Sequence, residues 1–287
     1  MFRVSSLEKF CTFAEIFEKK MLKFISFGSG SSGNCYWLAT ETDALIIDVG
    51  VGLRGLRKNC KEYGVSLHNV HHVLVTHDHA DHIKSVGSIS ADFSLPIYAT
   101  RKVHAGINRN YCVTKKVAHE LACYVEKGKT ITLGDFQVTP FGVPHDSTDN
   151  VGYFIEAGGT NLCLITDAGV VTDEMKAFIT RAHHLVIEAN HDEEMVMSGP
   201  YPQFLKERIL SATGHLSNKS CGEAVAQNMS QDLKRVWLCH LSEENNHPEL
   251  ARKTVESVLR SYGIVAGADL QLEVLKRNSP TGPYELE

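Results

Sequence analysis

Six consecutive residues in the first third of the chain contain four candidate metal ligands, His77, His79, Asp81 and His82. The segment Thr76-His77-Asp78-His79-Ala80-Asp81-His82 follows Val73-Leu74-Val75, an apolar run typical of a buried strand. Histidine binds metals through a neutral imidazole nitrogen, and aspartate offers a charged oxygen. The spacing is too dense for one tetrahedral site, because adjacent Asp81 and His82 should point differently from His77 and His79. We therefore predict two metals side by side, an arrangement that supports hydrolysis at a separation of about 3.5–4 Å.

Composition limits the class of protein. The chain has 287 residues, of which 43% are hydrophobic and 22% charged, and a formal net charge of −5. This charge does not suggest a nucleic-acid binder held by bulk electrostatics, although bound dications would add positive charge where a phosphate binds. The eight cysteines contain no CxxC pair and indicate free thiols, so we expect a cytoplasmic protein. No apolar run reaches the roughly 18 residues of a membrane span, so no membrane contact is expected.

Strand-like and helix-like segments alternate along the chain without an internal repeat or a Pro/Gly/Ser-rich linker. This pattern predicts one α/β domain over residues 21–277, an αββα sandwich of two mixed β-sheets packed face to face with helices on their outer faces. Residues 1–20 are interpreted as an N-terminal extension, and whether Met21 is the native start is left open. Residues 278–287 are expected to form a loose tail.

The motif around His77 resembles the signature of the metallo-β-lactamase fold superfamily. Further candidate ligands follow in the order and spacing of that superfamily: His145 after Val143-Pro144, Asp167 after an apolar strand, and His240 at the end of another strand. The resemblance implies two ligand sets bridged by Asp167: His77, His79 and His145 for the first metal, and Asp81, His82 and His240 for the second. It implies two divalent ions as cofactors, and this ligand set does not distinguish Zn²⁺ from Mn²⁺.

Longer segments resemble the YycJ/WalJ exonuclease group within that superfamily. They lie at residues 28–34, 76–83, 188–192, 214–218 and 240–246. The resemblance implies a dinuclear phosphodiesterase of the cytosol, a DNA exonuclease acting 5′→3′, in which metal-activated water attacks the phosphodiester. Nucleic acid, with DNA favoured, is the expected partner. RNA or a small diester as substrate, the polarity of cleavage and the oligomeric state stay open.

His215 and Glu188 are the predicted acid–base pair. In the phosphodiesterase branch of the superfamily, which includes tRNase Z and PhnP, a histidine shortly before the last ligand serves the leaving oxygen or the phosphate. His215 matches that position, and Glu188 matches the glutamate that orients it in tRNase Z-like members. A carboxylate beside the imidazole would favour its protonated form, which suits a general acid. Asp81 completes the predicted catalytic set.

Three residues are candidates for substrate binding. Ser31 and Asn34 belong to the run that begins Gly28-x-Gly30-x-x-Gly33, and His191 follows Glu188 closely. The glycine pattern does not indicate NAD, because a strand rather than a helix follows it. A flexible hairpin turn and a backbone nest near the substrate phosphate are both compatible with this run.

Two other functions are compatible with parts of the pattern. A glyoxalase-II-like thioesterase would use nearly the same metal ligands, but a thiolate leaving group needs no strong acid, so the pair of His215 and Glu188 favours phosphodiester chemistry. A catalytically silent binding protein that keeps metals for structure is disfavoured by the complete set of seven ligands.

Overall fold

Two mixed β-sheets form the centre of the protein. The structure is a computed structural model that describes residues 21–287, so the predicted extension over residues 1–20 lies outside the described residues. In order across the first sheet, the strands are β14 (Thr281–Leu286), β1 (Leu22–Gly28), β2 (Cys35–Ala39), β3 (Ala44–Ile47), β4 (Val70–Leu74), β5 (Ile97–Ala99) and β6 (Ala122–Tyr124). In order across the second sheet, they are β13 (Gln271–Val274), β12 (Arg235–Cys239), β11 (His184–Glu188), β10 (Thr160–Ile165), β9 (Val151–Ala157), β8 (Phe136–Gly142) and β7 (Ile131–Leu133).

Helices cover the outer faces of the sheets. Their bounds are α1 (Leu53–Glu62), α2 (Ala80–Ile83), α3 (Val86–Phe93), α4 (Arg101–Arg109), α5 (Asp173–Arg181), α6 (Glu193–Ser198), α7 (Gln203–Ile209), α8 (Asn218–Asn228) and α9 (Pro248–Ser261). Buried side chains of α1, α3 and α4 pack against the first sheet. Those of α5, α8 and α9 pack against the second sheet. None of the helices in residues 21–287 is long and apolar enough to span a membrane.

A third apolar core fills the space between the sheets. Side chains alternate between the faces of a strand, so in β1 Phe24 points to the inner core while Ile25 points to the helices. The ring of Phe24 lies 4.7 Å from that of Trp237 on the opposite sheet. The layers therefore run helix, sheet, sheet, helix, and the predicted αββα sandwich is confirmed.

The carboxyl-terminal end of the chain differs from the prediction of a loose tail. Residues Thr281–Leu286 form β14, which pairs antiparallel with β1 and places Leu286 opposite Leu22. Without β14, the N–H and C=O groups on one side of β1 would lack partners at the edge of the sheet. The prediction is wrong because this pairing joins the two ends of the described chain, and no local pattern in residues 278–287 reveals it.

Parallel pairing gathers the functional loops at one edge. Strands β3 and β4 are parallel in the first sheet, and β10, β11 and β12 are parallel in the second. Loops that follow the carboxyl ends of parallel strands meet at the same side of a sheet. Because the sheets face each other, loops from both come together there.

Candidate metal centre

The ligand segment after β4 changes from extended chain to helix midway. His79 has extended dihedral angles, with φ −72° and ψ 149°, and directly precedes α2, which contains Asp81 and His82. This change orients the second pair of side chains differently from His77 and His79. Potential ligand atoms gather there in four overlapping groups. Two of these groups, described next, correspond to the two predicted ligand sets.

The first group consists of His77, His79 and His145, whose ligand atoms lie within 4.8 Å of one another. His145 Nε2 is 3.2 Å from His79 Nδ1, while His145 Nδ1 lies 3.0 Å from the carbonyl oxygen of Gly214. Donation from Nδ1 to that carbonyl leaves the lone pair of Nε2 free for a metal. His77 Nε2 is buried and has no hydrogen-bond partner. A metal would satisfy it, so these residues fit such an ion.

The second group consists of Asp81, His82 and His240, again within 4.8 Å. His82 Nδ1 is 2.7 Å from Asp48 Oδ2, which leaves His82 Nε2 as the nitrogen that faces the group. His240 Nε2 lies 3.3 Å from Asp81 Oδ2. His240 Nδ1 lies 2.9 Å from Glu188 Oε1, so each imidazole of this group has its other nitrogen beside a carboxylate outside the group, the usual support of metal-binding histidines.

Asp167 lies between the two groups. Its Oδ2 is 3.2 Å from His82 Nε2, and its Oδ1 is 3.7 Å from His145 Nε2. Burial acts to raise the pKa of Asp167, but His240 and His82 outweigh burial and hold the pKa well below its usual range. The carboxylate is therefore ionised. Its Oδ1 also lies 3.4 Å from His240 Nδ1, so Asp167 contacts histidines of both groups.

The charges of the surrounding histidines differ between the groups. Burial lowers the pKa of His77 and of His145, so both are neutral imidazoles, the form that binds metals. Burial also acts to lower the pKa of His82, but Asp167 and Asp48 outweigh it and raise the pKa to about 10. This reversal reflects several buried carboxylates within one small volume, which is a favourable environment for a cation.

Strained backbone fixes three residues at this edge. Asp48, Asp167 and His240 have φ values of 60°, 54° and 51°, in the left-handed region that costs roughly 1–2 kcal/mol for a residue with a side chain. Asn150 Nδ2 donates to the carbonyl of Asp167 and Asn190 Nδ2 to that of His240, each at 2.9 Å. The surrounding hydrogen bonds thus stabilise an unfavourable backbone conformation at residues whose side chains face the site.

Glu188 links the second group to His215. Its Oε1 accepts hydrogen bonds from Nδ1 of His215 and Nδ1 of His240, both at 2.9 Å. Burial opposes ionisation, but the interactions with His215 and His240 lower the pKa of Glu188 to about 2. Burial likewise acts to lower the pKa of His215, and Glu188 reverses this and raises it. The structure thus brings the predicted residues His215 and Glu188 together, and it adds a contact between Glu188 and His240 that was not predicted.

The three predicted substrate residues have different surroundings. The amide nitrogen of Asn34 lies 2.9 Å from His82 Nε2 and 3.3 Å from Asp81 Oδ2, so it contacts the second group directly. Ser31 is exposed at the turn of the same loop. His191 is buried, with neither ring nitrogen hydrogen-bonded, and does not belong to a ligand group among residues 21–287.

Asp48 is the main functional residue that sequence reasoning missed. It follows β3 directly, and its Oδ2 supports His82 while its Oδ1 accepts from the backbone N–H of Thr76 at 2.8 Å. A carboxylate at the end of the apolar run Leu45-Ile46-Ile47 was the available signal. Its neighbour Gly50 is also constrained, because an added Cβ would lie 1.5 Å from the carbonyl oxygen of Asp81.

Comparisons with known proteins agree with this geometry. Residues 44–241 match the family model described as the Beta-lactamase superfamily domain. The chain is 34% identical to the exodeoxyribonuclease YycJ of Bacillus anthracis over 260 residues, which cover 91% of this chain and 97% of YycJ. It is also 34% identical to the exodeoxyribonuclease WalJ of Streptococcus pneumoniae serotype 2 over 250 residues, 87% of this chain and 93% of WalJ.

A solved structure shows the same fold at low sequence identity. The metallo-β-lactamase fold protein YhfI of Bacillus subtilis superposes with a TM-score of 0.68 at 18% identity, covering 92% of this chain and 99% of YhfI. The regions matched by the family model and by the two sequence relatives all include the strands that carry the ligand groups. The chain therefore belongs to the β-lactamase superfamily of metal-dependent hydrolases and, within it, to the family of YycJ and WalJ.

Proposed function

We propose that this protein is a dinuclear metal-dependent phosphodiesterase that degrades DNA as an exonuclease in the 5′→3′ direction. The observation that supports phosphodiester chemistry is the pair of Glu188 and His215 beside the two ligand groups. The ring of His215 lies 5.0 Å from that of His145 and 5.4 Å from that of His240. A candidate acid thus neighbours one ligand of each group.

Seven side chains would hold the ions. They are His77, His79 and His145 for the first ion, Asp81, His82 and His240 for the second, and Asp167 for both. When bound, two divalent ions polarise a phosphodiester and make water a stronger nucleophile near neutral pH. The mixed imidazole and carboxylate donors suit Zn²⁺ or Mn²⁺.

His215 would protonate the leaving oxygen. Its Nδ1–H is donated to Glu188, so Nε2 is the nitrogen available to the substrate. Glu188 raises the pKa of this imidazole against the effect of burial, and so favours the form that carries a proton on Nε2. An alkoxide leaving group needs that proton, whereas a thiolate does not. The pair therefore favours a phosphodiester over the thioester of a glyoxalase-II-like enzyme.

DNA as the substrate, the 5′→3′ direction and the cytoplasm are proposed from the resemblance to the YycJ/WalJ group. Both sequence relatives are named exodeoxyribonucleases, and the similarity covers most of their length. Seven cysteines within residues 21–287 are free thiols, which supports a reducing compartment such as the cytoplasm.

The test compares four substrates with one metal-loaded preparation. Protein loaded with Mn²⁺ or Zn²⁺ is incubated with duplex DNA labelled at either end, duplex RNA, bis-p-nitrophenyl phosphate and a glutathione thioester. We expect nucleotides to be released from the 5′ end of DNA, and Asp167→Ala to lose most of its bound metal together with this activity. Release from the 3′ end would contradict the direction, and thioester cleavage without diester cleavage would contradict the reaction class.

A further inference from the structure

Helix α7 is attached to the metal centre rather than to the apolar core. Ile209 is its buried residue, and the carbonyl oxygen of Ile209 accepts the backbone N–H of His215 at 3.0 Å. The guanidinium of Arg208 forms a two-point ion pair with Asp146, through Nε to Oδ2 and Nη2 to Oδ1. Asp146 Oδ1 in turn lies 3.5 Å from His145 Nε2. The helix is thus connected both to His145 of the first ligand group and to the candidate acid His215.

Arg208 has hydrogen-bond donors that Asp146 does not use. A guanidinium has five N–H donors, and Asp146 engages only the edge formed by Nε and Nη2. The side chain is 50% exposed, so Nη1 is available to a ligand. Because Asp146 fixes the fork in place, little rotamer entropy is lost when the free edge binds an anion such as a phosphate.

Phe204 lies on the same side of the helix. Residues four apart on a helix are neighbours on its surface, so Phe204 lies one turn before Arg208. Phe204 is 72% exposed, and Gln203 and Glu207 hydrogen-bond to each other on the adjacent face. An aromatic ring so exposed contributes little to the core, and together with an anchored cation it forms the pair of groups by which proteins hold single-stranded nucleic acid.

We propose that Phe204 and Arg208 form a strand-binding surface next to the metal centre. Arg208 binds a backbone phosphate near the scissile one, and Phe204 stacks on an unpaired base of the same strand. This inference rests on the proposed function and extends it, because it requires that the end of the DNA be unpaired where it passes α7. Because stacking on a ring does not select a base, binding at this surface tolerates any sequence.

The test separates strand binding from chemistry. Binding of a fluorescein-labelled thymidine oligonucleotide with nuclease-resistant linkages is measured by anisotropy, and KM and kcat are measured on unmodified DNA. Loss of one base–aromatic stack corresponds to a roughly 5- to 150-fold weaker affinity, so Phe204→Ala should raise Kd and KM by that factor. Phe204→Trp should restore both values, and the remote exposed aromatic Tyr262 supplies the control Tyr262→Ala. Arg208→Lys retains the charge without the fork and should also weaken binding.

The outcomes are distinct from those for the proposed function. If wild-type protein cleaves DNA and Phe204→Ala leaves Kd and KM unchanged, the surface is wrong and the nuclease function stands. If Phe204→Ala instead converts a wild-type dimer to a monomer without an effect on DNA, the face binds a second copy of the chain and the proposal is overturned. If wild-type protein cleaves no nucleic acid, the proposed function fails, and normal oligonucleotide binding by Phe204→Ala would overturn the surface as well.

Discussion

The substitution Glu188→Gln should damage this protein more than its small change in shape suggests. Oε1 of Glu188 accepts from His215 and His240, and Oε2 accepts from the backbone N–H groups of Ala168 at 2.8 Å and Leu216 at 3.1 Å. A carboxylate can accept all four hydrogen bonds. A glutamine amide offers one oxygen and an NH₂ group. With the NH₂ group toward Ala168 and Leu216, it meets two backbone N–H donors. With the NH₂ group toward the imidazoles, it meets two further donors as long as His215 and His240 keep their protons on Nδ1, the arrangement that leaves His240 Nε2 free for a metal.

The magnitude follows from the number of bonds lost. Hydrogen bonds to a charged group contribute about 1.5–3 kcal/mol each, so two lost bonds lower the free energy of unfolding by roughly 3–6 kcal/mol. Because the pKa of Glu188 is lowered to about 2, the carboxylate is ionised, and the loss applies, throughout the neutral range. His240 and His215 should both lose their orientation, so metal affinity and turnover fall together.

Urea denaturation of the metal-free protein measures the change in stability. Elemental analysis of the loaded protein measures its metal content, and a diester assay measures its turnover. Glu120→Gln, at an exposed position, is the matched control. If Glu188→Gln unfolds within about 0.5 kcal/mol of the wild type, as surface substitutions usually do, the four-acceptor reasoning is refuted.

Three further outcomes are expected. His215→Ala should keep its metals and lose roughly 10²–10⁴-fold in turnover of DNA, with a smaller loss on bis-p-nitrophenyl phosphate, whose leaving group hardly needs a proton; an equal loss on both would exclude the acid role. Gly50→Ala should displace Asp81 and reduce the metal content measured by elemental analysis, whereas Gly52→Ala, with open space around its Cβ position, should not. Burial lowers the pKa of His184 from 6.5 to about 4, so the unfolded chain binds more protons between these values and stability falls as pH drops through that window. His184→Phe should reduce this acid-induced fall in the free energy of unfolding by up to about 3 kcal/mol, measured by urea titrations at several pH values. If stability falls with pH equally in both proteins, His184 is not the group responsible.

Local patterns in the sequence were sufficient for the fold class and for the four candidate ligands between His77 and His82. Alternating strands and helices predicted the layered α/β architecture, because the periods of apolar residues report which face of each element is buried. The segment from His77 to His82 predicted two ion sites, since its ligand types and spacing are local. The resemblance then supplied His145, Asp167 and His240, which the structure brings to the same edge.

Only the tertiary structure decided how these side chains are supported. Asp48 is far from His82 in the chain but 2.7 Å away in space, and β14 reaches β1 from the opposite end of the described residues. Glu188 serves His240 as well as His215 because parallel pairing brings the ends of β11 and β12 together. Such contacts depend on which strands are neighbours and on single left-handed residues at their ends. Hydrophobic periodicity contains no information about either, so the sequence predicts the ligands but not the network that orients them.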